Sequence, residues 1–177
     1  KNNYYIFQQY SNFSKNQLND FVIKELDAYV INNGEYILND DLIIPHGYSL
    51  LIKPGVKISI ADNKSIIVYG SLFINGKEDN QVYIQNLSNN FGTLAALGDG
   101  TTEVSINHLN LSSGSEAIIN GVHFSGGLSL YSHDTVAINN SHIYSNIADD
   151  GLNVKNSNIL LEDNVFDFNL SDQVDLD

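Results

Sequence analysis

The chain has 177 residues and a formal net charge of −13, from eight Lys, no Arg and 21 Asp and Glu. This charge argues against a nucleic-acid-binding domain, because nothing in the chain could neutralise a run of phosphates. The absence of Cys excludes a disulfide scaffold and any Cys-based zinc site. The length suits one folded domain with 42% hydrophobic residues, and no apolar run is long enough to span a membrane.

Residues 1–28 differ from the rest of the chain and predict an N-terminal cap made of a strand and a short amphipathic helix. Residues 4–7 are aromatic and apolar, which favours a β-strand. Ser14 and Gln17 have the spacing of a helix capping box. The apolar residues that follow at helical spacing predict a helix over about 15–26, and they are Leu18, Phe21, Val22 and Leu26.

From residue 29 onward the helical period disappears, and short alternating apolar runs take its place. Each run has three to five residues, and Gly, Asn or Asp separates it from the next. Strands this short and this evenly spaced indicate a sandwich, a barrel or a solenoid. The 25 Asn residues favour short strands joined by tight turns, because Asn tolerates the left-handed backbone conformation.

An internal repeat favours the solenoid among these three classes. Residues 152–155 align with residues 174–177, so that apolar residues coincide and Asp150 falls on Asp172. Residues 128–131 fit the same frame, and two further columns align 122–124 with 141–143 and 164–166, and 136–138 with 159–161. Steps of roughly 19–24 residues with three short strands match one coil of a parallel β-helix. The spacing predicts about seven coils over residues 29–177.

The early coils also carry a segment of recognisable order. Residues 70–76 read Gly-Ser-Leu-Phe-Ile-Asn-Gly, and residues 82–84 and 91–94 follow after polar links. This order resembles the opening rungs of many secreted right-handed β-helix proteins, and residues 29–177 resemble the pectin-lyase-like superfamily. The resemblance implies an all-β, right-handed parallel β-helix, an extracellular or cell-surface location and a polysaccharide ligand. The N-terminal α-helical cap would cover the open edges of the first coil, whereas the C-terminal end is expected to be open or truncated.

Acidic residues concentrate in the second half of the chain, where residues 89–177 hold twelve acids and a single base, Lys155. Asp150 and Asp172 stand at the beginning of two aligned strands. The repeat then predicts two neighbouring outward ladders, one of Ser129, Asn153 and Asp175, and one of Tyr131, Lys155 and Asp177. One face of the solenoid is therefore expected to gather carboxylates with a Lys and a Tyr.

The first hypothesis for this face is catalysis on a polysaccharide. Asp150 and Asp172 would form an acid/base pair, because carboxylates on neighbouring coils push their pKa values apart, and Lys155 would stabilise charge or act as a base. Residues 149–155 loosely resemble the Asp-Asp segment of polygalacturonase-type hydrolases. The Gly-His-Gly expected one coil later is absent, and the chain has no Arg for the chemistry of pectate lyases. Substrate contacts would come from Asn153, Asp175 and the ring of Tyr131, which would serve as a platform for sugar C–H faces.

The second hypothesis is a calcium site, because carboxylates supply the hard oxygen ligands that Ca²⁺ prefers. Its ligands would be Asp149, Asp150, Asp172 and Asp175. The third hypothesis is a solvated acidic surface without a site, which keeps a solenoid soluble and discourages edge-to-edge pairing.

The function expected from these observations is a secreted or surface domain that binds or processes a polysaccharide on the Asp-rich face of its C-terminal coils. The alternative is a non-catalytic structural or adhesive solenoid, as a segment of a larger surface or phage-fibre protein. Such a segment would associate with itself or continue through its C-terminal end.

Overall fold

The computed structural model describes residues 19–177, and these residues form a parallel β-solenoid of about six turns. No helix occurs among them. Each turn contributes one strand to each of three parallel sheets, here named sheets A, B and C in the order in which the chain visits them. The fold class predicted from the repeat is therefore confirmed, with about six turns in place of seven.

The strands follow one another in a regular order. Strand β1 (Val22–Lys24) precedes the first turn. Within each turn the strands belong to sheets A, B and C in that order. Turn 1 comprises β2 (Ala28–Ile31), β3 (Gly34–Leu38) and β4 (Leu42–Ile44), and turn 2 comprises β5 (Ser49–Ile52), β6 (Val56–Ile60) and β7 (Ile66–Val68). Turn 3 comprises β8 (Leu72–Asn75), β9 (Val82–Gln85) and β10 (Leu94–Leu97). Turn 4 comprises β11 (Glu103–Asn107), β12 (Leu109–Ser112), an inserted hairpin of β13 (Ala117–Ile119) and β14 (Val122–Phe124), and β15 (Gly126–Tyr131). Turn 5 comprises β16 (Thr135–Asn139), β17 (His142–Tyr144) and β18 (Asp150–Lys155), and turn 6 comprises β19 (Asn158–Glu162), β20 (Val165–Asp167) and β21 (Asp172–Leu176).

The core consists of apolar ladders that run along the solenoid axis. Parallel neighbours lie about 4.8 Å apart, so a turn buries its apolar side only against the turns above and below it. The register confirms the two predicted ladders in sheet C, Leu128–Leu152–Val174 and Leu130–Val154–Leu176. It also confirms the predicted pairing of residues 136–138 with residues 159–161 in sheet A.

The corners between sheets turn on non-glycine residues that adopt the left-handed backbone conformation. In turns 2 to 5 their N–H groups donate to carbonyls of the following turn, as from Asn140 to Glu162 at 3.0 Å. Stacking of the turns therefore stabilises a backbone conformation that is costly in isolation. These residues are His108, Asn140 and Asp163 at the A–B corner, Asn63, Ser113, Ser145 and Phe168 at the B–C corner, and Ser132 and Asn156 at the C–A corner.

Buried asparagines also connect the turns at the B–C corner. Asn146 is 1% exposed, its Oδ1 accepts the Gly114 N–H at 2.8 Å, and its Nδ2 donates to Asn169 Oδ1 at 2.8 Å. Asn169 Nδ2 in turn donates to the Ile143 carbonyl at 3.1 Å. These amides satisfy backbone groups that the tight corner leaves without ladder partners.

The inserted hairpin explains why the predicted number of coils was too high. Residues 122–124 were aligned with residues 141–143 and 164–166, yet they form the antiparallel strand β14, whose partner is β13. Only the pairing of β17 with β20 in that column is present. Asn120 and Gly121 link β13 to β14, both with positive φ (55° and 78°), which is the pattern of a two-residue type I′ hairpin turn. The hairpin makes turn 4 longer than the predicted step of roughly 19–24 residues, so fewer turns fit into the same length of chain.

The hairpin folds over the outer side of sheet C and buries a second apolar cluster there. The hairpin contributes Phe124, Ile119 and Val122, which pack on sheet residues that include Ile67, Tyr69, Ala95, Leu97 and Tyr131. Asn120 Nδ2 donates to the Tyr69 hydroxyl at 2.7 Å and ties the tip of the hairpin to turn 2. Sheet C is consequently covered on both sides where the hairpin lies.

The prediction of an N-terminal helix over about 15–26 is wrong for the residues that the structure describes. Residues 22–24 form strand β1, which pairs antiparallel with β2 through Val22 and Ile31. β-branched Val22 and Ile23 suit a strand, and the exposed edge of β2 supplies hydrogen-bond partners that an isolated helix would lack. Part of the predicted capping role is kept, since β1 covers the edge of sheet A. The predicted strand over 4–7 and the start of the predicted helix lie outside the described residues.

No helix in the described range 19–177 has the length and apolar character needed to cross a membrane.

Candidate functional site

The predicted site residues are brought together in sheet C by the register of β15, β18 and β21. Asp150 pairs with Asp172, and Asn153 pairs with Asp175. Tyr131 pairs with Lys155. The term acidic face is used below for this group, which comprises Tyr131, Asp149, Asp150, Asn153, Lys155, Asp172 and Asp175.

Asp150 is the least solvated carboxylate of the acidic face, at 4% exposure. Its Oδ2 accepts a hydrogen bond from Ser125 Oγ at 3.1 Å. Burial raises the pKa of Asp150, the Ser125 hydrogen bond opposes the rise, and the charges of Asp175, Asp149 and Asp172 add to it. Its register partner Asp172 is exposed. The two neighbouring carboxylates therefore have different environments, as an acid/base pair requires.

Tyr131 belongs to the cluster under the hairpin and is only 6% exposed. Its ring stacks on Phe124 with centroids 5.5 Å apart, and Lys155 Nζ lies 5.5 Å from the ring centroid. Its hydroxyl accepts the Ser125 N–H at 3.3 Å. The exposed sugar platform expected of Tyr131 is thus absent, because the hairpin covers the ring.

Asn153 and Asp175 form a hydrogen-bonded pair across turns 5 and 6. Asn153 Nδ2 donates to Asp175 Oδ2 at 2.8 Å, and Asn153 is fully buried. Its Oδ1 is buried without a hydrogen-bond partner. Lys155 Nζ lies 3.4 Å from Asp177 Oδ2, and both side chains are about half exposed. Solvent therefore reaches the acidic face mainly at Asp149, Lys155, Asp172 and Asp175.

The described residues do not form an evident metal centre. Within residues 19–177, no group of three or more His, Asp or Glu side chains is arranged to hold a metal ion. Asp150 is engaged by Ser125 and Asp175 by Asn153, so these carboxylates are held by protein donors. The four predicted ligands lie near one another in sequence and register, and calcium binding by them stays a prediction.

Sequence analysis missed Ser125, the nearest hydrogen-bond partner of Asp150. The two residues are 25 positions apart and meet because the hairpin returns the chain to sheet C immediately before β15. The Asn120-Gly121 turn was the one sequence signal that could have located this return.

Sequence analysis also missed a polar cleft of about 590 Å³ at the A–B corner, which contains no residue of the acidic face. Its lining residues are Glu78, Gln81, His108, Asn110, Asn140, Ser141, His142, Asp163 and Val165.

No family model, curated protein or solved structure matches the chain.

Replacing Asp150 with Asn is expected to raise the melting temperature at pH 8 and to have a smaller effect at pH 4. Because the folded state binds the Asp150 proton more tightly than the unfolded chain does, ionisation of Asp150 lowers stability as the pH rises above the ordinary range of Asp. The amide keeps an acceptor for Ser125 and carries no charge. The measurement is thermal unfolding followed by circular dichroism over this pH range.

The matched control for Asp150→Asn is Asp134→Asn, which removes the same charge from an exposed carboxylate at the C–A corner. It is expected to change stability by less than about 0.5 kcal/mol at either pH. An equal effect of Asp150→Asn at pH 4 and pH 8 would contradict a raised pKa of the buried Asp150 carboxyl.

Proposed function

We propose that this chain is a secreted or cell-surface β-helix domain of the pectin-lyase-like kind, which binds or processes a polysaccharide on its acidic face. The observation that carries the proposal is the in-register placement of Asp150 on Asp172 and of Asn153 on Asp175, in adjacent turns of one sheet. This register places the solvent-accessible carboxylates Asp172 and Asp175 on one face, where they offer hydrogen-bond acceptors to sugar hydroxyls.

The net charge of −13 favours a neutral polysaccharide over a polyanionic one. Of the acidic-face side chains that solvent reaches, only Lys155 is cationic, and Asp177 lies beside it. A polymer of uronic acids would meet repulsion from Asp149, Asp172 and Asp175. Hydroxyl groups of a neutral sugar would instead donate to these carboxylates.

Processing of the polymer would use the different environments of Asp150 and Asp172. Burial raises the pKa of Asp150, so Asp150 would donate its proton to the glycosidic oxygen as the bond to the anomeric carbon breaks. Asp172, which is exposed, would remove a proton from the water that attacks that carbon. Ser125 would hold the Asp150 carboxyl through its hydroxyl, and Lys155 would stabilise negative charge nearby.

The test is a thermal-shift panel of neutral and acidic polysaccharides, with and without Ca²⁺ or chelator, followed by mass spectrometry of any products. Asp172→Asn is expected to abolish product formation and to weaken binding, while the melting temperature stays unchanged because Asp172 is exposed. Asp134→Asn, with the same loss of charge away from the acidic face, is expected to behave like the unaltered chain. Equal activity of Asp172→Asn and the unaltered chain would reject the catalytic assignment.

A non-catalytic structural or adhesive solenoid is the second candidate function. It is favoured by the closure of much of the acidic face, since Asn153 is fully buried and Tyr131 is 6% exposed under the hairpin. Such a domain would act as a segment of a larger surface or fibre protein, and association with itself would appear in sedimentation velocity. If no polysaccharide shifts the melting temperature, this candidate is favoured. A shift of the melting temperature with Ca²⁺ alone would favour the calcium hypothesis.

A further inference from the structure

The polar cleft at the A–B corner arises because the corner is longer in turn 3 than in the turns beside it. Six residues, 76–81, connect β8 to β9 in turn 3. His108 alone makes the corner in turn 4, and two residues make it in turns 5 and 6 (140–141 and 163–164). The longer corner is closed by its own antiparallel bridge and forms one wall, above a floor made by the tight corners.

The floor of the cleft is a ladder of three polar residues with one backbone conformation. His108, Asn140 and Asp163 have φ values of 49°, 51° and 53° and lie in successive turns. Their side chains make no hydrogen bond to any of the residues 19–177. Successive turns are about 4.8 Å apart, which is close to the length of one sugar residue in an extended chain. The ladder therefore offers one polar group per sugar unit.

The wall of the cleft carries amides whose orientation is fixed. Gln81 Oε1 accepts hydrogen bonds from Asn110 Nδ2 at 2.8 Å and from the Tyr83 hydroxyl at 3.0 Å. In this arrangement Gln81 Nε2 remains as a donor and Asn110 Oδ1 as an acceptor for a ligand. Polar groups that are held in place before binding lose less freedom when a ligand arrives.

The chemistry of the lining selects the kind of ligand. Two of the lining residues, Glu78 and Asp163, are carboxylates and none is Lys, so an anion would be repelled. Val165 is the single apolar lining residue, so an apolar ligand would leave many polar groups without partners. His142 is already held by Asp167 through a 2.7 Å contact from Nε2 to Oδ1. The Ser141 hydroxyl is likewise engaged, because it donates to the Asn139 carbonyl at 2.8 Å and accepts the Leu109 N–H at 3.1 Å. The amides, the Asp163 carboxylate and the His108 imidazole remain for a ligand, and together they suit a neutral molecule that is rich in hydroxyl groups.

We propose that this cleft is a binding site for a neutral oligosaccharide, which lies along the solenoid axis with one sugar unit over each of turns 4, 5 and 6. The site is separate from the acidic face and does not depend on the function proposed for it.

The experiment is a titration of the isotope-labelled chain with cellotetraose, mannotetraose and xylotetraose, followed by amide NMR spectra. At least one of these sugars is expected to shift the amide signals of Gln81, His108, Asn110 and Asn140. Asn140→Gly removes the side chain while glycine keeps the left-handed backbone, and it is expected to weaken binding at least fivefold. Gln81→Ala is a second variant, in the wall of the cleft, and is expected to have a similar effect.

Asn156→Gly is the matched control, because Asn156 has the same backbone conformation (φ 50°) at the C–A corner, away from the cleft. It is expected to leave the affinity that is read from the amide signals of the cleft unchanged. Asp172→Asn is expected to weaken binding at the acidic face only, so the signals of the cleft separate the two sites. No shift with any of the three sugars, shifts confined to the acidic face, or equal weakening by Asn156→Gly would overturn the proposal.

Discussion

Replacing Asn146 with Ala is expected to lower the free energy of unfolding by about 3 kcal/mol. The substitution removes the acceptor of the Gly114 N–H and the Nδ2 donor to Asn169 Oδ1, both at 2.8 Å. Asn146 is 1% exposed, so water cannot take the place of the lost amide. A buried donor without a partner costs about 1–3 kcal/mol, and here groups in both neighbouring turns are affected. Equilibrium unfolding in urea measures the loss.

The matched control for Asn146→Ala is Asn158→Ala. The amide of Asn158 also spans two turns, since Nδ2 donates to the Asp134 carbonyl at 2.8 Å, but Asn158 is exposed. Water can replace that bond, so a loss below about 1 kcal/mol is expected. Equal losses in the two variants would show that burial of the Asn146 amide does not govern its contribution.

Replacing Phe124 with Ala is expected to cost about 3–5 kcal/mol and to loosen the hairpin from sheet C. Phe124 is fully buried and stacks on Tyr131, and it belongs to the apolar cluster that joins the hairpin to the sheet. Its loss leaves a cavity in this cluster, between the hairpin and sheet C. Urea unfolding measures the cost, and hydrogen exchange is expected to speed up in β13 and β14 before the rest of the solenoid.

Ile118→Ala is the control on the same hairpin. Ile118 is 76% exposed, so the truncation removes little buried surface and is expected to change stability by less than about 0.5 kcal/mol. If Phe124→Ala altered neither stability nor exchange in β13 and β14 beyond this control, the cluster would not be what holds the hairpin.

The apolar ladders were predictable because the repeat fixes them residue by residue. Leu128, Leu152 and Val174 recur at nearly constant spacing, and each must stack on its neighbour for any turn to have a core. The same register also determines which outward residues pair, so the pairing of Asp150 with Asp172 followed from the sequence. A one-residue slip would turn the apolar residues outward, which is why the register is well determined.

The N-terminal segment shows where a local pattern is insufficient. Phe21, Val22 and Leu26 have helical spacing, yet residues 22–24 form β1. The edge of β2 decides this, because it offers a ladder of hydrogen bonds to any strand that reaches it. Helical spacing in a short segment cannot outweigh such a partner, since a short helix is only marginally stable in water.

The sequence by itself determined the solenoid, its ladders and the gathering of carboxylates in sheet C, because these follow from a repeated local pattern. Tertiary structure alone decided which outward residues meet solvent. Tyr131 is covered because the hairpin folds back onto sheet C, with Asn120 bonded to Tyr69 across 51 residues of sequence. The Ser125 contact to Asp150 and the cleft at the A–B corner arise in the same way, from an insertion and from a longer corner. Such contacts depend on where irregular segments pack, and periodicity carries no information about that.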